Sequence, residues 1–379
     1  MNLNRQHYIT AAKRIVVKVG SNVLTRTDGL NIHVVRSISR QICQLRDRGG
    51  EVVLVTSGAM AVGLKKIDLS ARPADTPGRQ AVAAVGQAGL MMEYEHAFDR
   101  YGIKVAQVLL TSDDLNDRKR YLNVRNTLHT LLGWNVIPVI NENDSVKVES
   151  IQFGDNDNLA AMISLLMDAD LYINLTDIDG LYTRDPRRHK NAELIPVVQS
   201  IDEKIKSIAG RIPGDLGTGG MQTKIKAAEK VAAVGTPMII ADGTREDTLI
   251  RLLDGDELGT FFVPRRKRLA RRKCWIGYSV RPEGVLRLDT GAADAIAARG
   301  KSLLPSGITG VEGDFGIGAP VECRGPDNAA IGVGLVNYRA RDIRQIMGLQ
   351  TRQIATILND PPYDEVIHRN NLTITLTEE

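Results

Sequence analysis

Cysteine is scarce: Cys43, Cys274 and Cys323 are the only three in 379 residues. They are far apart, odd in number and without metal-ligand spacing. That pattern excludes a disulfide framework and a zinc knuckle, and reads as buried or incidental thiols of a reducing compartment. Long apolar runs are also missing. No stretch approaches the roughly eighteen apolar residues that a membrane-spanning helix needs. The opening MNLNRQHYITAAKR has no apolar core long enough for export, so the expected location is the cytoplasm. Charge of one sign is not in excess either. The formal net charge is +4, too small for a global field aimed at nucleic acid or membrane.

Several familiar catalytic signatures are absent too. A P-loop requires a glycine five places before the glycine of GK[ST]. Gly300-Lys301-Ser302 is the one such ending, and the required position holds Ala295. The dinucleotide pattern GxGxxG fails because Gly217 and Gly219 are followed by Gln222. Ser57 is no hydrolase nucleophile, since the flanking places that a nucleophile elbow fills with glycine hold Val55 and Ala59. None of the six histidines lies in a comparable motif.

What remains is a soluble globular composition, 43% hydrophobic and 25% charged, long enough for two domains or three. Buried-strand patterns recur at Arg14–Val19, Glu51–Val55, Lys104–Leu110, Val136–Ile140, Asp170–Leu175 and Pro237–Ala241. Helical patterns alternate with them. Val35, Ile38, Ile42 and Leu45 share one helical face, and the Gly49-Gly50 pair marks the stop. Pro77 to Arg100 is mostly helical, with Gly86 and Gly89 allowing close packing, and Asn116–Leu132 is another helix. Such alternation predicts a mainly parallel sheet covered by helices on both faces.

The chemistry concentrates where strands end. Asn141 to Ala161 carries NEND (141–144) and GDND (154–157) between a buried strand and a helix bearing Leu159, Met162, Ile163, Leu166 and Met167. Ligands of open α/β sheets bind at that edge. Turn and cap preferences account for one or two of these acidic and amide residues, and hardly for all of them. Lys18 sits inside an apolar strand, where a cation is costly unless its ammonium reaches an anion or snorkels from the strand end. Ser57 follows a strand at a bend into a helix, a place suited to a polar ligand contact. Thr176-Asp177 ends another strand, and either contacts a nucleotide or caps a turn. In GDLGTGGMQTK (214–224) the glycines let the backbone approach phosphate oxygens. A helix from Met221 to Val234 offers its positive end, with Lys224 in the first turn. A flexible loop with an exposed lysine is the plain alternative. From Pro264 to Lys273 seven of ten residues are basic, a solvated linker or a nucleic-acid contact. Beyond it, Trp275-Ile276, Gly284–Leu288, Gly307–Val311, Ala319–Cys323 and Ile331–Val336 read as short strands of a small β-rich domain with one or two helices.

Six stretches taken in order are specific: KVGSNVLT (18–25), VTSGAMAVG (55–63), PVINENDSV (138–146), FGDNDNLAA (153–161), LTDIDGLYTRDP (175–186) and GTGGMQTKIKAA (217–228). They resemble the amino acid kinase family, in its branch that phosphorylates the side-chain carboxylate of glutamate. RKCWIG (272–277) through to about Ile357 resembles a PUA domain. Where the family often reads KLGTS, this chain has KVGSN (18–22), and Ser21 preserves the hydroxyl.

The resemblance implies an α/β/α kinase domain over 1–263, a basic linker over 264–273 and a PUA-like domain with its tail over 274–379. It implies ATP as phosphoryl donor with Mg2+, L-glutamate as acceptor, glutamyl 5-phosphate as product and proline as inhibitor. Lys18, Asp157 and Lys224 would be catalytic, and Ser57, Asp144 and Asn156 would bind glutamate. Lys18, Thr176, Asp177, Thr218, Gly219, Gly220, Met221, Gln222, Thr223 and Lys224 would contact the nucleotide. No protein ligand to a metal is implied. Assembly as a homodimer or homotetramer, transfer of the product to a glutamyl phosphate reductase and RNA contact through the PUA-like part belong to the same set of expectations.

Overall fold

The computed structural model describes residues 5–26, 29–146, 155–210, 220–265, 271–278, 280–358 and 363–374. The chain forms two compact units, Met1–Arg268 and Leu269–Glu379.

The first unit is built on an eight-stranded sheet. Its strands are β1 (Arg14–Val19), β2 (Glu51–Val55), β3 (Val105–Leu110), β4 (Ile137–Glu142), β5 (Leu171–Thr176), β6 (Val197–Val198), β7 (Met238–Asp242) and β8 (Thr260–Phe262). They lie in the order β3-β4-β2-β1-β5-β7-β8-β6. Every neighbouring pair is parallel except β7 with β8. The named helices are α1 (Ile32–Asp47), α2 (Ala59–Lys66), α3 (Thr76–Asp99), α4 (Arg118–Gly133), α5 (Asp155–Met167) and α6 (Met221–Ala233). The apolar runs of the interior strands are buried because helices cover both faces, as the sequence predicts; β3, expected to be buried, stands at the sheet edge and is mostly half-buried, with Leu110 its one buried residue. Val17, Val19, Leu54, Ile173 and Ile239 pack with Ile38 and Ile42 of α1 and Leu90, Tyr94 and Phe98 of α3. Helix α5 packs against α4 and α6 and lies on β1 and β5. Leu159, Met162, Ile163, Leu166 and Met167 are all buried, as their spacing requires.

The path of the chain defines a crevice. From β1 it proceeds to β2 on one side, and from β5 to β6 and then β7 on the other, while β1 and β5 pair directly. The carboxyl ends of β1 and β5 are therefore a topological switch point, where such sheets take their ligands.

The second unit holds a five-stranded sheet of β9 (Gly284–Leu288), β10 (Ile308–Glu312), β11 (Pro320–Arg324), β12 (Ala330–Leu335) and β13 (Leu372–Ile374), in the order β10-β9-β11-β12-β13. Two expectations need correction here. Trp275 and Ile276 are not a strand but lie buried in helix α7 (Arg271–Tyr278), since an apolar doublet fits either period. Helices are also more numerous than one or two, because α8 (Thr290–Ala297), α9 (Ala340–Ile346) and α10 (Thr351–Ile357) accompany α7. Of the basic run, Arg266–Ala270 lie outside the described residues, and Arg271 opens α7.

Burial pushes the Cys43 thiol up to about 11 and the Cys323 thiol up to about 12, so both stay protonated and unreactive. Among the described residues no helix is long and apolar enough to cross a membrane.

Candidate active site

Lys18, the fifth residue of β1, is only 5% exposed. Its Nζ lies 2.6 Å from Oδ1 of Asp157, a fully buried residue in the first turn of α5. Lys224 comes from the first turn of α6 and places its Nζ 3.1 Å from the other oxygen, Oδ2. The Thr223 hydroxyl stands 2.7 Å from the same Oδ2 and 2.8 Å from the Gly220 carbonyl oxygen. Asn174, which pairs with Lys18 in the β1–β5 register, donates from Nδ2 to Asp157 Oδ1 at 2.9 Å. Asn174 Nδ2 is also 3.1 Å from the hydroxyl of Tyr172. One carboxylate thus collects four side chains from β1, β5 and α6.

Electrostatics follow from that arrangement. Burial alone would raise the Asp157 carboxyl, but Lys18 and Lys224, with hydrogen bonds from Lys18 and Thr223, outweigh it and hold the group well below the usual carboxylate range. Burial lowers the Lys18 ammonium from its ordinary value. Asp157 opposes that shift and Lys224 adds to it. Two ammonium groups share one anion, so the centre is well suited to a further negative group. Both helices also direct their N-termini toward it, which favours an anion further.

Adjacent residues on a helix point about 100° apart, and the first turn of α5 uses this. While Asp157 faces β1 and β5, Asn156 faces β2 and β4. Asn156 Nδ2 lies 2.9 Å from Ser57 Oγ, 3.0 Å from the Thr56 carbonyl oxygen and 3.0 Å from Asn141 Oδ1. Ser57 is positioned by the turn from β2 into α2, where Gly58 has φ +101°, a conformation that favours glycine. Helix α2 is clamped on α3: a Cβ at Gly86 would stand 1.8 Å from the Ala59 carbonyl oxygen, and one at Gly63 1.9 Å from that of Val82. Asp144 follows β4, half-buried, within electrostatic reach of Arg72.

Thr176 and Asp177 sit together at the end of β5. Thr176 Oγ1 is 3.1 Å from Asp177 Oδ1, and Asn22 Nδ2 donates to Asp177 Oδ2 at 2.9 Å. Burial would raise the Asp177 carboxyl, but the Asn22 hydrogen bond leads the contacts that keep it low. Gly220 caps α6, Met221 is buried and Gln222 is exposed. Thr218 and Gly219 lie outside the described residues.

The structure therefore brings Lys18, Asp157, Thr223 and Lys224 into one cluster, and Ser57 with Asn156 into a second beside it. Asn141 was marked by NEND (141–144), whereas Asn174, Tyr172 and Gln87 carry no mark in the sequence. A buried polar side chain inside a strand or helix carries no local signal, and only contacts across the fold reveal it.

The fold and this pair of clusters define a member of the amino acid kinase family. The model of that family matches residues 13–242, the model of the PUA domain matches residues 284–358, and the chain belongs to the kinase family. Within it the chain groups with the glutamate 5-kinases. It is 49% identical over 374 residues to the enzyme of Syntrophus aciditrophicus strain SB, covering 99% of this chain and 97% of that one. The Meiothermus ruber glutamate 5-kinase is 48% identical over 358 residues, 94% of each chain. The Geobacter sulfurreducens protein is 46% identical over 371 residues, 98% of this chain and 100% of that one. Among solved structures, Giardia lamblia carbamate kinase bound to AMP-PNP shares the fold, with a TM-score of 0.50 and 15% identity over 68% of this chain and 100% of that one. These relatives favour a kinase over the RNA-binding alternative.

Proposed function

We propose that this chain transfers the γ-phosphoryl group of ATP to the side-chain carboxylate of L-glutamate, giving L-glutamyl 5-phosphate and ADP, the first step of proline biosynthesis. The observation that supports it most is the convergence of Lys18 and Lys224 on Asp157 at the switch point, beside the Ser57–Asn156 cluster.

The acceptor needs no base. A glutamate side chain has a pKa of about 4.3 in water and is already an anion at neutral pH, unlike a hydroxyl, which must lose a proton. The task is to bring two anions together and to stabilise charge moving onto the leaving ADP. In this reading Lys18 and Lys224 flank the transferring phosphoryl group, and the segment Thr218–Lys224 covers the phosphates. Asp157, saturated by donors, orients the lysines. Thr176 and Asp177 contact the nucleotide. Ser57, Asp144 and Asn156 hold glutamate, with acceptor atoms suited to its α-ammonium.

Among the described residues no group of three acidic, histidine or cysteine side chains is placed to hold a metal ion. Mg2+ is expected to arrive on the triphosphate, and no step is assigned to it. Feedback inhibition by proline, a homo-oligomeric state and a cytoplasmic location complete the reading.

The test supplies purified protein with ATP, L-glutamate and hydroxylamine. Glutamyl hydroxamate formed in step with ADP is the expected result. ADP release with another acceptor and none with glutamate would contradict it.

A further inference from the structure

Gln87 lies on α3, 9% exposed, and the kinase chemistry above leaves it without a role. Its Oε1 accepts from Asn141 Nδ2 at 2.8 Å. Asn141 Oδ1 in turn accepts from the backbone N–H of Glu142 at 2.9 Å and from Asn156 Nδ2 at 3.0 Å. The three side-chain amides form one relay whose polarity the main chain fixes. A backbone N–H only donates, so Asn141 must turn its carbonyl toward Glu142 and its amino group toward Gln87. A backbone carbonyl only accepts, so Asn156 must turn its amino group toward Thr56, 3.0 Å away.

Two buried atoms are left over at the ends. Among the described residues Gln87 Nε2, a donor, and Asn156 Oδ1, an acceptor, have no hydrogen-bond partner. A buried amide atom without a partner is destabilising, a cost that native folds seldom bear without a reason. A zwitterionic amino acid carries the matching pair of groups, an ammonium that donates and a carboxylate that accepts.

We propose that Gln87 is a specificity-determining contact for the acceptor: its Nε2 donates to the α-carboxylate of the amino acid, while Asn156 Oδ1 and Asp144 take the α-ammonium. This rests on the reading of the site as a glutamate kinase. The orientation follows from position along the relay. Asn156 is next to Asp157 and the phosphoryl end, whereas Gln87 is the relay member farthest from it. The amino acid's α-groups therefore lie along the relay, the ammonium at Asn156 and the α-carboxylate at Gln87, and its side-chain carboxylate extends past Asn156 toward Lys18 and Lys224. A dicarboxylate alone would satisfy the lysines, and it is the α-carboxylate that Gln87 distinguishes.

The test uses the full-length chain with Gln87→Glu, which keeps Oε1 as acceptor for Asn141 and replaces the Nε2 donor by a second oxygen. KM for glutamate should rise about 10- to 100-fold, the loss of one hydrogen bond to a charged group, with KM for ATP unchanged. That increase should grow with pH as the new carboxylate ionises against the substrate's, a trend absent from the parent. Gln87→Met, which removes the donor without adding charge, should raise KM for glutamate independently of pH and serves where the first variant does not fold. An unchanged KM for glutamate in a folded variant, or KM for glutamate and ATP rising together, would overturn the assignment. A parent that forms no glutamyl hydroxamate would instead overturn the underlying kinase reading.

Discussion

Asp157 holds the cluster together in a way that separates charge from reactivity. Its oxygens are divided between Lys18 and Lys224, with Asn174 and Thr223 filling the remaining directions. A carboxylate so saturated is a poor base and a good clamp. Lys224→Ala should leave the fold intact and lower kcat by about 10²–10³-fold, the scale for losing one preorganised charge-stabilising group. Steady-state assays beside thermal unfolding check this, and unchanged turnover would refute the place of Lys224 at the phosphates.

The pH dependence has a definite sign. Burial, the leading cause, lowers the Lys18 pKa below its ordinary 10.5, and phosphate binding needs the ammonium. The kcat/KM for ATP should therefore fall as pH rises through a midpoint below that value, and Lys18→Arg, which stays charged, should move the midpoint upward. A profile that stays flat past the ordinary lysine pKa would exclude Lys18. Asp157 acts in the opposite range. Its folded pKa lies below the unfolded value of about 3.9, so its ion pairs stabilise the fold above that pH and are lost as pH falls toward the folded value. Lys18 was legible in the sequence because a cation stood in an apolar strand. Asn174 and Gln87 were not, since their meaning lies in partners 17 and 54 residues away.

At the scale of elements, helix termini and glycine contacts set the geometry. The first turn of α5 divides the two clusters by pointing Asn156 and Asp157 to different strands. On the other face, α2 and α3 approach until backbone meets backbone at Gly63 and Gly86, which fixes the turn that carries Ser57. Gly86→Ala should cost about 1–3 kcal/mol in denaturant unfolding, the range for overpacking, and raise KM for glutamate more than KM for ATP. A variant as stable as the parent would show that the helix pair yields easily and does not position Ser57. Strand and helix periods in this unit were readable because each run is long and flanked by turn residues. Trp275-Ile276 was misread as a strand because two adjacent apolar residues carry no period, and the basic residues before them gave no sign that a helix begins at Arg271.

Across the whole molecule the described site residues lie in the first unit, and the second unit carries its own core around Leu286, Val321, Cys323 and Ile343. The mainly parallel sheet covered on both faces was implied by the alternation of strands and helices. Which strand stands beside which was not, because pairing depends on crossovers that local patterns do not encode. Lys18 and Lys224 must meet at one polyphosphate. A crystal structure with a non-hydrolysable ATP analogue and glutamate tests this most directly. Both Nζ atoms should lie about 2.7–2.9 Å from phosphate oxygens, with the glutamate side-chain carboxylate in line with the γ-phosphorus. A nucleotide bound away from this crevice, with both lysines still committed to Asp157 alone, would contradict it.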